Sequence, residues 1–475
     1  MAERGYEGRT REIGCQRPEC LRSDERWQRP RCGRRPNAFR AGNSLNDVLL
    51  VGVRGDAGFA ELRTRHFESA IIQALGSVRV VDFRDDVAAA VQSRRPTAVV
   101  TASNYGPTKA ALVAVAGQPE IPLWVDVAGD PFAEAQAYAA TLAPRPHAPE
   151  VSGEEEAQPR VPPPDVRTVV AEDACRVWRA AYLRADAFSV VCGPGRHAVL
   201  GALGVLGRLP LFALGEEPVA VMPVAMEFWD GAAGAARPGN RVVLVGGFNT
   251  WFDDEVLLAG LLRAMERAPF EVVVCGGGIA GHYEAGFARF CAGVAASRHA
   301  SRFSFPGWVP SGELPGIVDA GHVTVVLDRP GPEAELGSRT RLLYAVHRGL
   351  RILATTCSPL AQELAGMGLL ERLPAASEVG AVAAAAALAD KLAVAGAGPT
   401  HALQSAAKEK YSLAATTAPL RTWVANPNTT PRPGHDAVAA GLAAEVERLR
   451  GELAGLRASP TYRLLDGIKR RVGRG

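Results

Sequence analysis

Several familiar signatures are missing from this chain, and each absence closes off a class of protein. No run approaches about 18 uninterrupted apolar residues, so no segment reads as a membrane-spanning helix. The start lacks the short basic region and apolar stretch of a secretory signal, so a cytoplasmic protein is expected. There is no G-x-x-x-x-G-K-[ST] loop, no G-x-S-x-G elbow and no H-E-x-x-H pair, which argues against a P-loop NTPase, a serine hydrolase of that type and a zincin. The net charge is only +3, too small for the basic surface of a nucleic-acid binder. Eight cysteines occur without a C-x-x-C pair. Cys15, Cys20 and Cys32 have no nearby histidine to complete a zinc site, and most of the others sit in or beside apolar segments as small buried side chains of a reducing compartment.

What is present is an ordinary globular composition, 47% apolar and 22% charged over 475 residues. That length suits two domains of about 150 to 200 residues with appended segments. Residues 1–44 are rich in Arg, Pro and Gly and read as a disordered basic leader. From Asn46 short apolar runs alternate with helical patterns, at Asp47 to Val53, Val78 to Phe83, Thr97 to Thr101, Ile121 to Val127 and Phe188 to Cys192. A second series starts at Val242 and continues through Glu271 to Cys275, Arg302 to Phe305, Val323 to Leu327 and Arg351 to Thr355. Such alternation predicts parallel, doubly wound sheets. The expected organisation is therefore two Rossmann-like α/β domains facing a cleft, over 45–230 and 240–425. The first should carry a mobile Pro-rich, acidic insertion at about 144–166.

Residues 426–435 read as a linker, and 436–475 as an amphipathic helix with a basic tail. Leu442, Val446, Leu449, Leu453 and Leu456 recur at spacings of four and three, a seam through which copies of the chain could pair. The closing Lys469-Arg-Arg-Val-Gly-Arg, beside Leu464, Leu465 and Ile468, is open to two readings, a solvated tail or a peripheral contact with an anionic membrane face.

The most informative stretch is Gly337-Ser-Arg-Thr-Arg-Leu-Leu-Tyr-Ala-Val-His-Arg-Gly-Leu-Arg-Ile-Leu-Ala-Thr-Thr. It reads as a basic, hydroxyl-bearing helix start, an apolar helix, a Gly stop and a buried strand. Free N–H groups and the positive end of the helix dipole stabilise an anion at such a first turn. Ser338, Arg339, Thr340 and Arg341 are thus candidates to hold a diphosphate, the two arginines through forked, charge-assisted hydrogen bonds. Gly246 and Gly247 follow a strand and let backbone approach a phosphate or sugar closely. Cys275-Gly-Gly-Gly-Ile-Ala-Gly imitates a dinucleotide fingerprint with imperfect spacing.

Together with Arg241-Val-Val-Leu-Val-Gly-Gly-Phe-Asn-Thr-Trp-Phe-Asp-Asp and Phe303-Ser-Phe-Pro-Gly-Trp-Val-Pro, that stretch resembles the donor half of GT-B glycosyltransferases, particularly the retaining group called family 4. Trp124-Val-Asp-Val-Ala-Gly-Asp-Pro and Gly204-Val-Leu-Gly-Arg-Leu extend the resemblance into the first half. It implies transfer of a hexose from a nucleotide diphosphate sugar, as co-substrate, to a saccharide or lipid-linked acceptor in cell-surface polysaccharide or lipopolysaccharide assembly. No cofactor and no metal enter that scheme, because the arginines neutralise the leaving diphosphate. It also places Trp251, Asp253, Trp308, Val309, Glu335 and Tyr344 at the donor site.

Two departures bear on activity. The basic pair that many family members carry after the first strand of this half is replaced by Asn249, Trp251 and Asp253. Where the family has Glu or Asp, this chain has Tyr344, uncharged at neutral pH, so a carboxylate that would hold donor hydroxyls is missing. Glu333 and Glu335 are near enough in sequence to replace it or to lie on a surface loop. In the first domain Asp126 ends a strand and is expected to point into the cleft, for hydroxyl binding or proton transfer or as a helix cap. His66 is the second catalytic candidate, and His197 a further cleft candidate. A non-catalytic GT-B-like protein that binds a sugar nucleotide or a partner is the alternative.

Overall fold

A computed structural model describes residues 47–430 apart from 56–57, 104, 143–165, 227–240, 279–284, 311 and 395–397, together with a few positions between 446 and 459. The leader, most of the acidic insertion and of the C-terminal seam, and the basic tail lie outside the described residues.

The first lobe is built on strands β1 (Val48–Gly52), β2 (Arg79–Asp82), β3 (Ala98–Thr101), β4 (Leu123–Val127), β5 (Ala187–Val190) and β6 (Val219–Val221), in the order β2-β1-β3-β4-β5-β6. The second has β7 (Arg241–Gly247), β8 (Glu271–Gly277), β9 (Phe303–Gly307), β10 (Val323–Val326), β11 (Arg351–Thr355) and β12 (Glu371–Leu373), in the order β12-β11-β10-β7-β8-β9. All these strand pairs are parallel. The predicted alternation of strands and helices is therefore realised twice, and in the second lobe the order reverses beside β7, the switch point at which open α/β sheets hold ligands.

Strand polarity follows from burial on both faces. Leu49 and Val51 pack into one core with Val99, Val125 and Trp178, while Val48 and Leu50 pack into another with Phe67, Ile71 and Val100. Period-two alternation thus feeds two helical layers, and a polar position on either face needs a buried partner, as Asp126 and Ser189 have in each other. In the second lobe Val242 and Leu244 point one way and Val243 the other.

The chain leaves the first lobe through Met222–Met226, where side chains change allegiance. Met222 packs in the first lobe and Val224 and Met226 in the second. It also returns. Helix Ala418–Ala425, expected within the second domain, packs instead on helix Phe59–Leu75 of the first, with Leu420 and Val424 in its core and Trp423 edge-on to Trp124 at 5.4 Å. Beyond it the Thr430 N–H donates to Asp186 at 2.8 Å. Among the described residues, no helix is long and apolar enough to cross a membrane.

Candidate functional site

Strands β7 and β8 run in register from Arg241 opposite Glu271 to Gly247 opposite Gly277. Their last residues are glycines because the two chains nearly touch. Gly276 has φ of 121°, and a Cβ there would lie 2.4 Å from the Gly246 carbonyl oxygen. Gly246 has φ of 96°, and a Cβ there would meet the Arg341 guanidinium at ordinary contact distance.

Helix Thr340–Arg348 brings Arg341 to that spot. It is buried all along from Leu342 to Arg348, polar His347 and Arg348 included, and Gly349 in the left-handed region stops it. Arg341 donates to the Gly247 carbonyl at 2.8 Å and lies over the Phe252 ring at 5.6 Å. Burial pulls its pKa below the usual guanidinium value, with Asp328 opposing, yet an arginine remains charged at neutral pH. Ser338 Oγ and Thr340 Oγ1 are 3.1 Å apart at the start of this helix.

Arg341 lines a cavity of about 300 Å³ between the lobes. On the second-lobe side the wall is Val245, Gly246, Cys275, Gly276, Trp308, Val309 and Thr340, closed by Leu314, Pro315 and Tyr344. Opposite stand Gly58, Phe59, Glu61, Leu62 and Arg65, one face of helix Phe59–Leu75. Trp308 is half exposed, and its indole N–H donates to the Gly278 carbonyl at 3.0 Å, which fixes the ring at the rim. Tyr344 is mostly buried, and burial pushes its phenol up to about 12.

Six of the residues expected at the donor site therefore line one cavity: Gly246, Trp308, Val309, Thr340, Arg341 and Tyr344. Others take supporting places. Trp251 lies beneath the Arg339 guanidinium at 5.2 Å, and Asp253 caps helix Asp254–Met265 while approaching Arg329 at 3.4 Å. Glu333 and Glu335 are on a short helix, Pro332–Leu336, and not on a loop; Glu335 lines a separate polar cavity of about 550 Å³ with Thr356, Cys357, Gln362 and Arg372.

Three expectations are corrected by burial. Arg339 is 2% exposed and gives its fork to Glu333, at 2.7 and 3.2 Å, and to Asp328, so two carboxylates already consume its charge. The helix begins at Thr340, one residue later, and Arg339 braces its approach from behind. Asp126 is fully buried and does not point into the cleft. It accepts from Arg63 Nε and Nη2 at 2.9 and 2.8 Å, from the Ser189 hydroxyl at 2.6 Å and from the Ser103 N–H at 3.0 Å. The guanidinium of Arg63 drew it inward, which sequence position could not reveal. His66 is equally buried, its Nδ1 accepting from the Ala225 N–H at 3.5 Å; burial, then the charges of Arg63 and Arg65, hold its pKa well below the ordinary value. His197 is exposed on helix Gly193–Val205.

Arg65, Phe59, Leu62 and Glu61 were missed as wall residues. The signal was available, since His66 was weighed within Arg-Thr-Arg-His-Phe-Glu, but a step of one residue turns a helix by about 100° and moves the exposed position to Arg65.

A structure of an alpha,alpha-trehalose-phosphate synthase (UDP-forming) from Burkholderia vietnamiensis matches 80% of this chain and 99% of its own at a TM-score of 0.52 and 11% identity. The chain has the two-domain GT-B fold. The N-terminal domain of a Candida albicans trehalose-6-phosphate phosphatase, another match to this GT-B chain, superposes at a TM-score of 0.50, with 11% identity over 82% of this chain and 99% of that one. No protein-family profile and no curated protein sequence matches it. Among the described residues, no group of three or more His, Cys, Asp or Glu side chains could hold a metal ion.

Proposed function

We propose that this GT-B chain is a glycosyltransferase that moves a hexose from a nucleotide diphosphate sugar to a saccharide or lipid-linked acceptor, in cell-surface polysaccharide or lipopolysaccharide assembly. One observation carries the reading. Arg341, the first turn of helix Thr340–Arg348 and the glycine ends of β7 and β8 all open on a single cavity between the lobes. A fixed cation and free N–H groups there stabilise charge that grows on a leaving diphosphate. In the reaction the sugar C1–O bond to the β-phosphate breaks, its electron pair leaves with the diphosphate, and the acceptor oxygen forms the new bond as its proton departs. The side chains present serve this scheme without a metal. Trp308, held at the rim, offers a ring face to the base.

The alternative, a GT-B protein that binds a sugar nucleotide without turning it over, is favoured by one specific feature. Among the described residues lining the cavity the only carboxylate is Glu61, and Tyr344 occupies the place where the resemblance expects an acid.

Calorimetry of the full chain against UDP, GDP, dTDP and ADP sugars tests the proposal, with Arg341→Ala as control and release of nucleoside diphosphate as the turnover readout. UDP sugars come first, since the Burkholderia match is described as UDP-forming. Binding of one donor that weakens about 10- to 100-fold in Arg341→Ala, with turnover on addition of acceptor, supports the enzyme. Binding without turnover, rising in Tyr344→Asp, supports the alternative; no binding across the panel refutes the enzyme and the sugar-nucleotide binder alike and leaves the partner-binding, assembly form of the alternative.

A further inference from the structure

We propose that residues 442–456 fold back on the first lobe and lay their apolar seam against the exposed bend 205–214 at its base, so that the C-terminal segment clasps its own chain. The inference stands apart from the nucleotide reading, because this base lies at the N-terminal ends of the strands and the cavity at the opposite ends.

Helix Gly193–Val205 starts just past β5, runs back along the sheet and ends in a bend that leads into β6. The bend is fixed from within. Arg208, 3% exposed, gives Nη2 to the Ala185 carbonyl at 3.0 Å, just before β5, and its guanidinium lies over the Phe212 ring at 5.4 Å. Phe212 and Leu206 turn inward to the first-lobe core. The outer side is apolar as well: Val205 is 91% exposed, Leu214 stands wholly clear, and Leu209 is exposed between them. Three aliphatic side chains on one fixed bend thus form a face that the described residues leave open.

The chain delivers its own occupant to this face. After helix Ala418–Ala425, Asn428 Nδ2 donates to Glu216 at 3.4 Å and the Thr430 N–H to Asp186 at 2.8 Å, so the continuous described chain ends on the base, with Glu216 two residues from Leu214. Residues 431–445 lie outside the described residues; a chain of that length spans about 20 Å. Beyond them Val446, Arg448, Leu449, Gly451, Glu452 and Gly455 are helical. Arg448 pairs with Glu452 off the seam, whereas Leu449, on the seam, is 43% exposed. Two open apolar faces are therefore joined by a short tether, which sets the concentration of one at the other on the order of millimolar, so that a few aliphatic contacts suffice. A second copy of the chain is the poorer occupant. Leu442, Val446, Leu449, Leu453 and Leu456 make only two heptads where a coiled coil needs about three or four, and Gly451 and Gly455 weaken the helix. A preformed surface supports such a helix, and an equally weak second helix does not.

Hydrogen exchange of the full chain, read by mass spectrometry, tests the clasp with Leu214→Asp on the bend and Leu449→Asp on the seam. Amides of 442–456 should exchange about 10-fold faster in Leu214→Asp, and those of 205–216 faster in Leu449→Asp, with both variants and the wild type monomeric by light scattering. Leu214 stands clear of its lobe, so Leu214→Asp should keep the wild-type fold, which circular dichroism checks. Exchange over 442–456 that ignores Leu214→Asp overturns the inference. A wild-type dimer that Leu449→Asp dissolves also overturns it and gives the seam to a second copy. Protection of 442–456 that arises only with phosphatidylserine-containing vesicles overturns it in favour of a membrane surface.

Discussion

Replacing Asp126 by Asn separates a structural carboxylate from a chemical one. The substitution keeps the side chain's shape but removes the charge that balances Arg63, and both side chains are fully buried. It also turns an acceptor into an amide donor among groups that all donate: Arg63, the Ser189 hydroxyl and the Ser103 N–H. Ser189 in turn accepts from the Trp124 indole at 2.9 Å, so the disturbance reaches the contact between Trp124 and Trp423. Breaking one side of a buried pair costs about 3–5 kcal/mol. For a lobe of this size each kcal/mol lowers the melting temperature by about 2–4 °C, so a fall of roughly 10 °C is expected. Thermal unfolding followed by circular dichroism measures it, and calorimetry at 15 °C should still find nucleotide affinity within about twofold of wild type. Combining Asp126→Leu with Arg63→Met should regain most of the loss, because no charge is then left buried without a partner. If Asp126→Asn instead left the melting temperature in place while turnover collapsed, the structural assignment would be wrong.

Gly276→Ala should destabilise the second lobe by at least about 1–3 kcal/mol and abolish nucleotide binding, since φ of 121° is strained for alanine and its Cβ would strike the Gly246 carbonyl; melting curves and calorimetry read both effects. Arg339→Ala should cost about 3–5 kcal/mol by stranding Asp328 and Glu333, so its signature is a lower melting temperature, in contrast to Arg341→Ala, which should lose affinity with little change in stability. The buried His66 titrates below its ordinary value of 6.5, so the unfolded chain takes up its proton first as pH falls. Its contribution is constant above about pH 6.5 and stability is lost below it, by at most about 1.4 kcal/mol per pH unit until the folded group titrates. Denaturant unfolding at pH 7.5 and 5.5 should show a smaller pH effect in His66→Gln.

Fold class was legible because both sheets are parallel and buried on two faces, which forces short apolar runs such as Val48–Gly52 and Val323–Val326 to recur between helices. The second-lobe wall was legible as well, since the glycines after β7 and the basic start of helix Thr340–Arg348 are local features that lie beside the strand and helix they serve. What failed was the sense in which a charged side chain points. Asp126, Arg339 and His66 each sit at an element end or on a helix where two opposite directions are available; for Arg339 the partners that settle it, Glu333 and Asp328, are only 6 and 11 residues back, but for the other two the partner is distant in sequence. For Asp126 it is Arg63, 63 residues away, and for His66 the Ala225 N–H, 159 away. The return of helix Ala418–Ala425 to the first lobe was hidden for the same reason, because Trp423 meets Trp124 across most of the chain.

Helix Phe59–Leu75 joins these observations into one mechanical argument. Its inner face grips the crossover, Arg63 through the Met222 carbonyl and His66 through the Ala225 N–H, while the Met226 N–H continues the seam to the Tyr411 carbonyl beside the second-lobe core. Its outer face is the wall that holds Phe59, Leu62 and Arg65 against the cavity. The distance across the cleft and the path of the crossover are therefore set by the same rigid element. Loosening the Arg63 grip would therefore widen the cleft without touching a ligand. Arg63→Met paired with Asp126→Leu, which leaves no buried charge unpaired, should accordingly weaken UDP more than uridine although neither residue lines the site; equal affinities for both ligands, unchanged from wild type, would show that the wall stands without the grip.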